Sequence, residues 1–235
     1  MTDATGWTGD DSAAPAPLRI NVVTIFPEFF AGPLGLSIPS RAREAGLVDY
    51  RVVDLRDFTH DKHRTVDDAP YGGGAGMVMK PGPFFEAVES LTPTGPIVLM
   101  SARGKQFSHA DAARFAVGRE LTLLCGHYKD VDQRVADFLA TEELSLGGFV
   151  LSGGEPAALA IIDATVRLLP GAMSDIESAR TDSFFDRELS APSYTRPPVF
   201  RGHVVPEVLL SGDHKRIAEW RESEGKRLSD DRGLK

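Results

Sequence analysis

Along the chain, short runs of consecutive apolar residues alternate with segments whose apolar positions recur every three to four residues. The runs at 18–26 (LRINVVTIF), 97–100 (IVLM), 121–125 (LTLLC) and 149–152 (FVLS) are β-rich and mainly apolar. Such runs predict strands buried on both faces. Residues 48–55 add a strand with polar interruptions. Helical segments fall between the runs: 39–46 with a glycine stop, a helix after Pro81-Gly82-Pro83 with Phe84, Val88 and Leu91 on one face, and one starting near Ser108 as N-cap. Residues 130–139 and 155–169 follow, the second with Pro156 in its first turn. Strand and helix in alternation predict a mainly parallel α/β sheet, on which ligands bind outside the carboxyl ends of the strands.

Three segments fall outside this alternation. Residues 56–76 are polar, rich in Asp, His and Gly, and too long for an ordinary connection, which marks a functional loop. Residues 172–193 are polar and acidic without periodicity and are expected to be a linker or mobile loop. Beyond them, a short strand at 202–205 and a helix at 213–224, with Ile217 and Trp220 inward, form a C-terminal unit. That unit is too small to fold alone and is expected to pack on a partner surface. The resulting division is a tail at 1–17, a main domain at 18–172, a linker at 173–190 and a C-terminal domain at 191–235.

Composition narrows the picture in three places. Residues 1–17 are acidic and rich in small residues, Pro and Gly; they lack the regions of a signal peptide and are expected to be disordered. No apolar run has membrane-spanning length, and the single cysteine, Cys125, excludes an intrachain disulfide and fits a reducing cytoplasm. The net charge of −8 opposes wholesale wrapping of nucleic acid. Residues 186–235, however, carry ten Lys/Arg and nine Asp/Glu, a charge of +1 against −9 for the remainder. A nucleic-acid partner would be gripped locally by mixed-charge segments.

The stretch LSLGGFVLSGGEPA at 144–157 brackets its apolar run with Gly147-Gly148 and Gly153-Gly154. Glycine weakens a strand, so a close approach to the backbone is implied. The segments after 100, after 125 and from 145 to 155 all lie at carboxyl ends of predicted strands, and each carries glycine. Tight turns would explain any one of them alone. Neither G-x-x-x-x-G-K-[ST] nor a G-x-G-x-x-G opening a helix occurs, which disfavours a phosphate cradle. A nucleoside without phosphates, held by backbone groups, fits better.

Five ordered motifs carry a resemblance: RDFTHDKHRTVDDAPYGGGAGMVMK at 56–80, CGHY at 125–128, SLGGFVLSGGE at 145–155, PSYTRP at 192–197 and PEVLLSGDH at 206–214. Together they closely resemble the bacterial tRNA (guanine-N1)-methyltransferases, the TrmD family of the SPOUT superfamily, over about 18–227. The resemblance implies S-adenosylmethionine as methyl donor and guanosine 37 of tRNA as acceptor. It also implies a deep trefoil knot around the cofactor, a small, mostly helical C-terminal domain, a homodimer with shared active sites, and a cytoplasmic enzyme. General topology rules make a knot improbable, and periodicity alone gives no sign of one. Through the resemblance the strand ends become cofactor contacts: Leu99, Met100, Ser101 and Ala102; Gly126 and Tyr128; Ser145, Leu146 and Gly147; Phe149, Leu151, Gly153 and Gly154.

Guanine N1 carries a proton and is a poor nucleophile until that proton leaves. Methylation there needs a general base near N1 and a cation or donor near O6. On the family pattern Asp182 matches the base and Arg167 the O6 stabiliser. Each also has an ordinary reading, a solvated loop carboxylate and an i,i+4 partner of Asp163. Transfer to a ribose hydroxyl would not need an Asp at a base edge, and an RNA-binding module without catalysis would need neither residue. Arg103, Ser211, His214 and Lys215 are the tRNA-contact candidates. The family commonly carries glutamate after CGRY or CGHY, and here that position is Lys129. Lysine cannot ligate Mg²⁺, so any magnesium use is expected to be altered or routed through Asp130, Asp132 or Asp182. His60 and His63 with Asp57 and Asp61 are expected to be loop chemistry rather than a zinc site, and Cys125 is expected to be packing.

Overall fold

The computed structural model describes residues 16–173, 181–185 and 188–233. The expected tail lies outside them except for Ala16 and Pro17, as do residues 174–180, 186 and 187 of the expected linker. The chain divides into two compact units, one ending at 174 and one beginning at 175.

The first unit is built on five parallel strands: β1 (Leu18–Thr24), β2 (Val48–Asp54), β5 (Ile97–Gln106), β6 (Glu120–Cys125) and β8 (Glu142–Ser145), in the order β2-β1-β6-β5-β8. A second, three-stranded sheet joins the short strands β3 (Asp67–Asp68), β4 (Val78–Met79) and β7 (Asp130–Val131). The apolar runs are continuous because both faces of the main sheet are covered. Val22, Val98, Met100, Leu121 and Leu123 face a layer made by α1 (Glu28–Ala31), α2 (Ser37–Glu44), α4 (His109–Ala116) and α6 (Glu155–Val166). Their neighbours Val23, Leu99 and Leu124 face α3 (Pro81–Leu91) and α5 (Gln133–Phe138). Successive side chains pointing to opposite faces produce the two cores from one strand set.

Local chemistry sets most boundaries where the pattern predicts them. Ser108 caps α4 in a reciprocal box with Asp111, Gly46 follows α2 in the left-handed region at φ +72°, and Pro156 occupies the first turn of α6. Two expectations are overturned. Residues 130–139 are not one helix: Asp130–Val131 pairs with Val78–Met79, and Asp132 then caps α5 by accepting from the Arg134 backbone N–H. Residues 149–152 are not a buried strand; Phe149 is 56% exposed and Val150 86%. The strand at that point is β8, whose pairing with β5 ends at Ser145. There the Ser145 hydroxyl accepts from Gly147 N–H and donates to Gly147 O, turning the chain out of the sheet.

In the second unit, Val199–Phe200 and His203–Val204 form an antiparallel hairpin. Arg201 and Gly202 are both at positive φ in its turn, as a two-residue hairpin connection requires. The helix His214–Asp231 starts on Asp213, whose carboxylate accepts from Lys215 and Arg216 N–H. It runs seven residues beyond the expected end at 224. Part of the expected linker belongs to this unit: Leu189 N–H donates to Ser229 Oγ at 2.8 Å, and Gly225 lets the Leu189 carbonyl approach the helix. No helix among the described residues is long and apolar enough to cross a membrane.

Candidate active site

The site is built where the carboxyl ends of β5, β6 and β8 meet the start of α6. In β5, Met100 and Lys105 both align with Leu144, so residues 101–104 loop out of the sheet. Gly104 makes this possible, because a Cβ there would lie 2.5 Å from the Glu143 carbonyl carbon and the Leu144 nitrogen. After β6, Gly126 O accepts from Gly154 N–H at 2.8 Å, and His127 and Gly153 form an antiparallel bridge. The 147–154 loop therefore returns across the end of β6. A Cβ on Gly154 would lie 2.9 Å from both the Cys125 Cα and the Met100 Cβ, and one on Gly153 would collide with His127 Nδ1 and a Glu155 carboxylate oxygen. The second glycine pair is a backbone crossing.

Between the loops lies an open cleft of about 240 Å³, just below the usual range of ligand pockets. Of the residues expected to hold a cofactor, Met100, Ser101 and Ala102 line it from β5, Gly126 and Tyr128 from the loop after β6, and Ser145, Leu146, Phe149, Leu151, Gly153 and Gly154 from the returning loop. Leu99 and Gly147 do not line it. Leu99 faces the opposite core because strand neighbours alternate, and Gly147 serves the turn at Ser145. Arg103, expected at the RNA, lines the cleft and pairs with Asp130 at 3.1 Å.

The sequence reading overlooked a buried polar cluster behind the cleft. Glu155 is 2% exposed; one carboxylate oxygen accepts from Thr24 Oγ1 at 2.7 Å, and the other lies 3.9 Å from His127 Nδ1. The His127 ring packs edge-on against Phe26, and its buried Nδ1 has no hydrogen-bond partner. A glutamate in an apolar helix start, after a glycine pair, was the available signal. Its carboxylate occupies the N-terminus of α6, where a phosphate would otherwise be favoured. The cleft thus suits a nucleoside without phosphates, with apolar walls from Leu144, Leu146, Phe149 and Leu151. Burial first, and the Glu155 carboxylate second, push the Cys125 thiol well above its ordinary value, so Cys125 is an inert packing group.

The two catalytic candidates fall in different units. Arg167 caps α6 in the first, half-buried, its backbone N–H donating to Asp163 O at 3.1 Å. Asp182 is in the second, where its carbonyl accepts from Phe185 N–H. With Thr181 it lines a broad groove of about 1410 Å³, shared with Tyr194, Ile217 and Arg221. Ser211, His214 and Lys215 cluster in an exposed helix start; Ser211 Oγ donates to Val208 O and accepts from Asp213 N–H. His60 pairs with Glu86 at 2.8 Å, Asp57 with Arg64, and Asp61 caps the turn to Thr65. Among the described residues no three His, Cys, Asp or Glu are grouped to hold a metal. Asp130 is engaged by Arg103 and Asp132 by Arg134, which leaves neither carboxylate free for a cation.

A parallel α/β unit with a nucleoside-sized cleft over a glycine crossing is the class that fold and site define. The family model described as tRNA (Guanine-1)-methyltransferase TrmD matches residues 18–233. Curated relatives named tRNA (guanine-N(1)-)-methyltransferase include one from Dehalococcoides mccartyi, 50% identical over 89% of this chain and 86% of its own. Another, from Geobacillus kaustophilus, is 48% identical over 89% and 87%, and a third, from a Synechococcus strain, 52% over 87% and 81%. The chain belongs to the TrmD family.

Proposed function

We propose that this protein transfers a methyl group from S-adenosylmethionine to N1 of guanosine 37 in tRNA. The observation that carries the reading is the cleft at the glycine crossing. Its apolar walls, its backbone-rich floor and the Glu155 carboxylate at the helix start favour an adenosyl group over a phosphorylated nucleotide. When bound, the donor supplies an already activated sulfonium methyl. The chain then has to hold that methyl and remove one proton. Asp182 takes the proton from guanine N1, and Arg167 meets the negative charge that develops on O6. A target base extracted from its stack fits such a site.

Family membership supports several finer expectations: the trefoil knot, a homodimer in which each active site draws on both chains, and a cytoplasmic location. Tight backbone contacts at Gly154 and Gly104 are compatible with a chain drawn through itself. Lys129 cannot ligate Mg²⁺ and two neighbouring carboxylates are held by arginines, so these residues do not fit a magnesium site. No step is assigned to a metal.

The test is labelled-methyl transfer to two tRNA transcripts, one with guanosine and one with adenosine at position 37. Transfer to the first alone, with 1-methylguanosine as product, is the expected result. Equal transfer to both would overturn the assignment of the acceptor.

A further inference from the structure

Arg103, Lys129 and Asp130 line the cleft, with His127 and otherwise apolar, hydroxyl-bearing or backbone groups. Arg103 and Asp130 neutralise each other at 3.1 Å. Lys129 has no such partner: among the described residues its ammonium meets no carboxylate. Its direction is set by its surroundings. The Lys129 backbone N–H donates to Met77 O at 3.1 Å, and the next residue enters the β7 pairing with β4. The side chain then lies along the Tyr71–Gly76 loop. A Cβ on Gly76 would sit 3.1 Å from the Lys129 Cβ, and one on Gly74 would sit 3.7 Å from its Nζ. Gly76 is at φ +88°, a conformation that favours glycine, and its missing side chain leaves the lysine stem its track. The cleft therefore holds one uncompensated cation beside one Arg–Asp pair.

Resting on the reading of the cleft as a methyl-donor site, we infer that Lys129 binds the α-carboxylate of the donor's amino-acid tail. A carboxylate is the ligand chemistry that complements an ammonium with no carboxylate partner of its own. The apolar walls serve the base, and the lysine serves the tail. An RNA phosphate could use the same ammonium. The donor's carboxylate is favoured because Lys129 lines the same small cleft as the apolar walls that would hold the adenosyl group.

The test uses the full chain, two probes and equilibrium binding. S-adenosylhomocysteine carries the zwitterionic tail, and 5′-methylthioadenosine has the same nucleoside without it. Lys129→Gln is expected to weaken S-adenosylhomocysteine roughly three- to tenfold, the range of a partly exposed charge contact. It should leave 5′-methylthioadenosine unchanged, and Lys129→Arg should restore most of the loss. Unchanged S-adenosylhomocysteine affinity would overturn the inference. So would equal weakening of both probes, which would mean that the stem only shapes the loop. A fall confined to tRNA affinity, with a shallower salt dependence, would instead make Lys129 a phosphate contact. If neither probe binds the unaltered chain, the methyl-donor reading itself fails, and that result is distinct from the others.

Discussion

Gly154 and Asp182 fail in different ways when changed. At Gly154 the constraint is space: a methyl group would press on the Cα of Cys125, the Cβ of Met100 and the nitrogen of Gly126. None of these can swing aside, since two are backbone and the third is fixed by a buried strand. Gly154→Ala is therefore expected to destabilise the protein by about 1–3 kcal/mol, as overpacking does. It should also weaken cofactor binding, and denaturant unfolding with calorimetric titration of S-adenosylhomocysteine will measure both. At Asp182 the constraint is chemical. Asp182→Asn keeps size and removes the proposed base, so methyl transfer should fall roughly 10²- to 10⁴-fold while cofactor affinity stays unchanged. Near-normal single-turnover transfer by that variant would remove Asp182 from the reaction.

At the scale of elements, helix α4 shows how one carboxylate serves several partners. Asp111 accepts from Ser108 N–H and Oγ through one oxygen, and the other meets Lys105 Nζ at 2.8 Å. Burial pushes its carboxyl up, but the hydrogen bonds from Lys105 and Ser108 outweigh this and hold it below the ordinary carboxylate range. The sign follows from that depression: Asp111 contributes fully above the ordinary carboxylate value, and its contribution is lost as pH falls through the depressed one. Ser108→Ala should cost about 1 kcal/mol at neutral pH. Asp111→Asn should make stability less dependent on pH in the acid range, read from urea unfolding at several pH values. Lys105 is thus a structural partner of α4, whereas Arg103, two residues earlier in the strand, turns into the cleft.

Much of this scale was legible in the sequence. The strands at 18, 48, 97 and 121, the Ser108 cap and the Pro156 helix start follow from local pattern and from capping chemistry that acts within a few residues. The run at 149–152 did not, because apolar residues around a ligand cleft have the same composition as those in a core. Only the end of the β5–β8 pairing distinguishes the two. Local pattern likewise assigns Asp130–Val131 to a helix, since its partner strand lies some fifty residues earlier and no local signal announces it.

On the scale of the molecule, the proposed chemistry asks Arg167 and Asp182 to act on one guanine. If each active site draws these residues from different chains of a dimer, inactive variants will complement. Mixing Arg167→Ala and Asp182→Asn proteins under conditions of subunit exchange should recover up to about a quarter of normal transfer. That fraction follows from random pairing, in which half the dimers are mixed and each has one intact site. No recovery despite confirmed exchange would mean that both residues come from the same chain.

By itself the sequence determined a mainly parallel sheet, the order of its helices, the glycine-bearing strand ends and the family, because periodicity, capping and motif order are written in neighbouring residues. Only the tertiary structure decided that the 149–152 run is a cleft wall and that Glu155 is buried against Thr24 and His127. It alone brought Arg103 and Lys129 into the cleft. These are relations between residues tens of positions apart, created when β6 inserts between β1 and β5 and the returning loop closes over its end, and no local pattern encodes them.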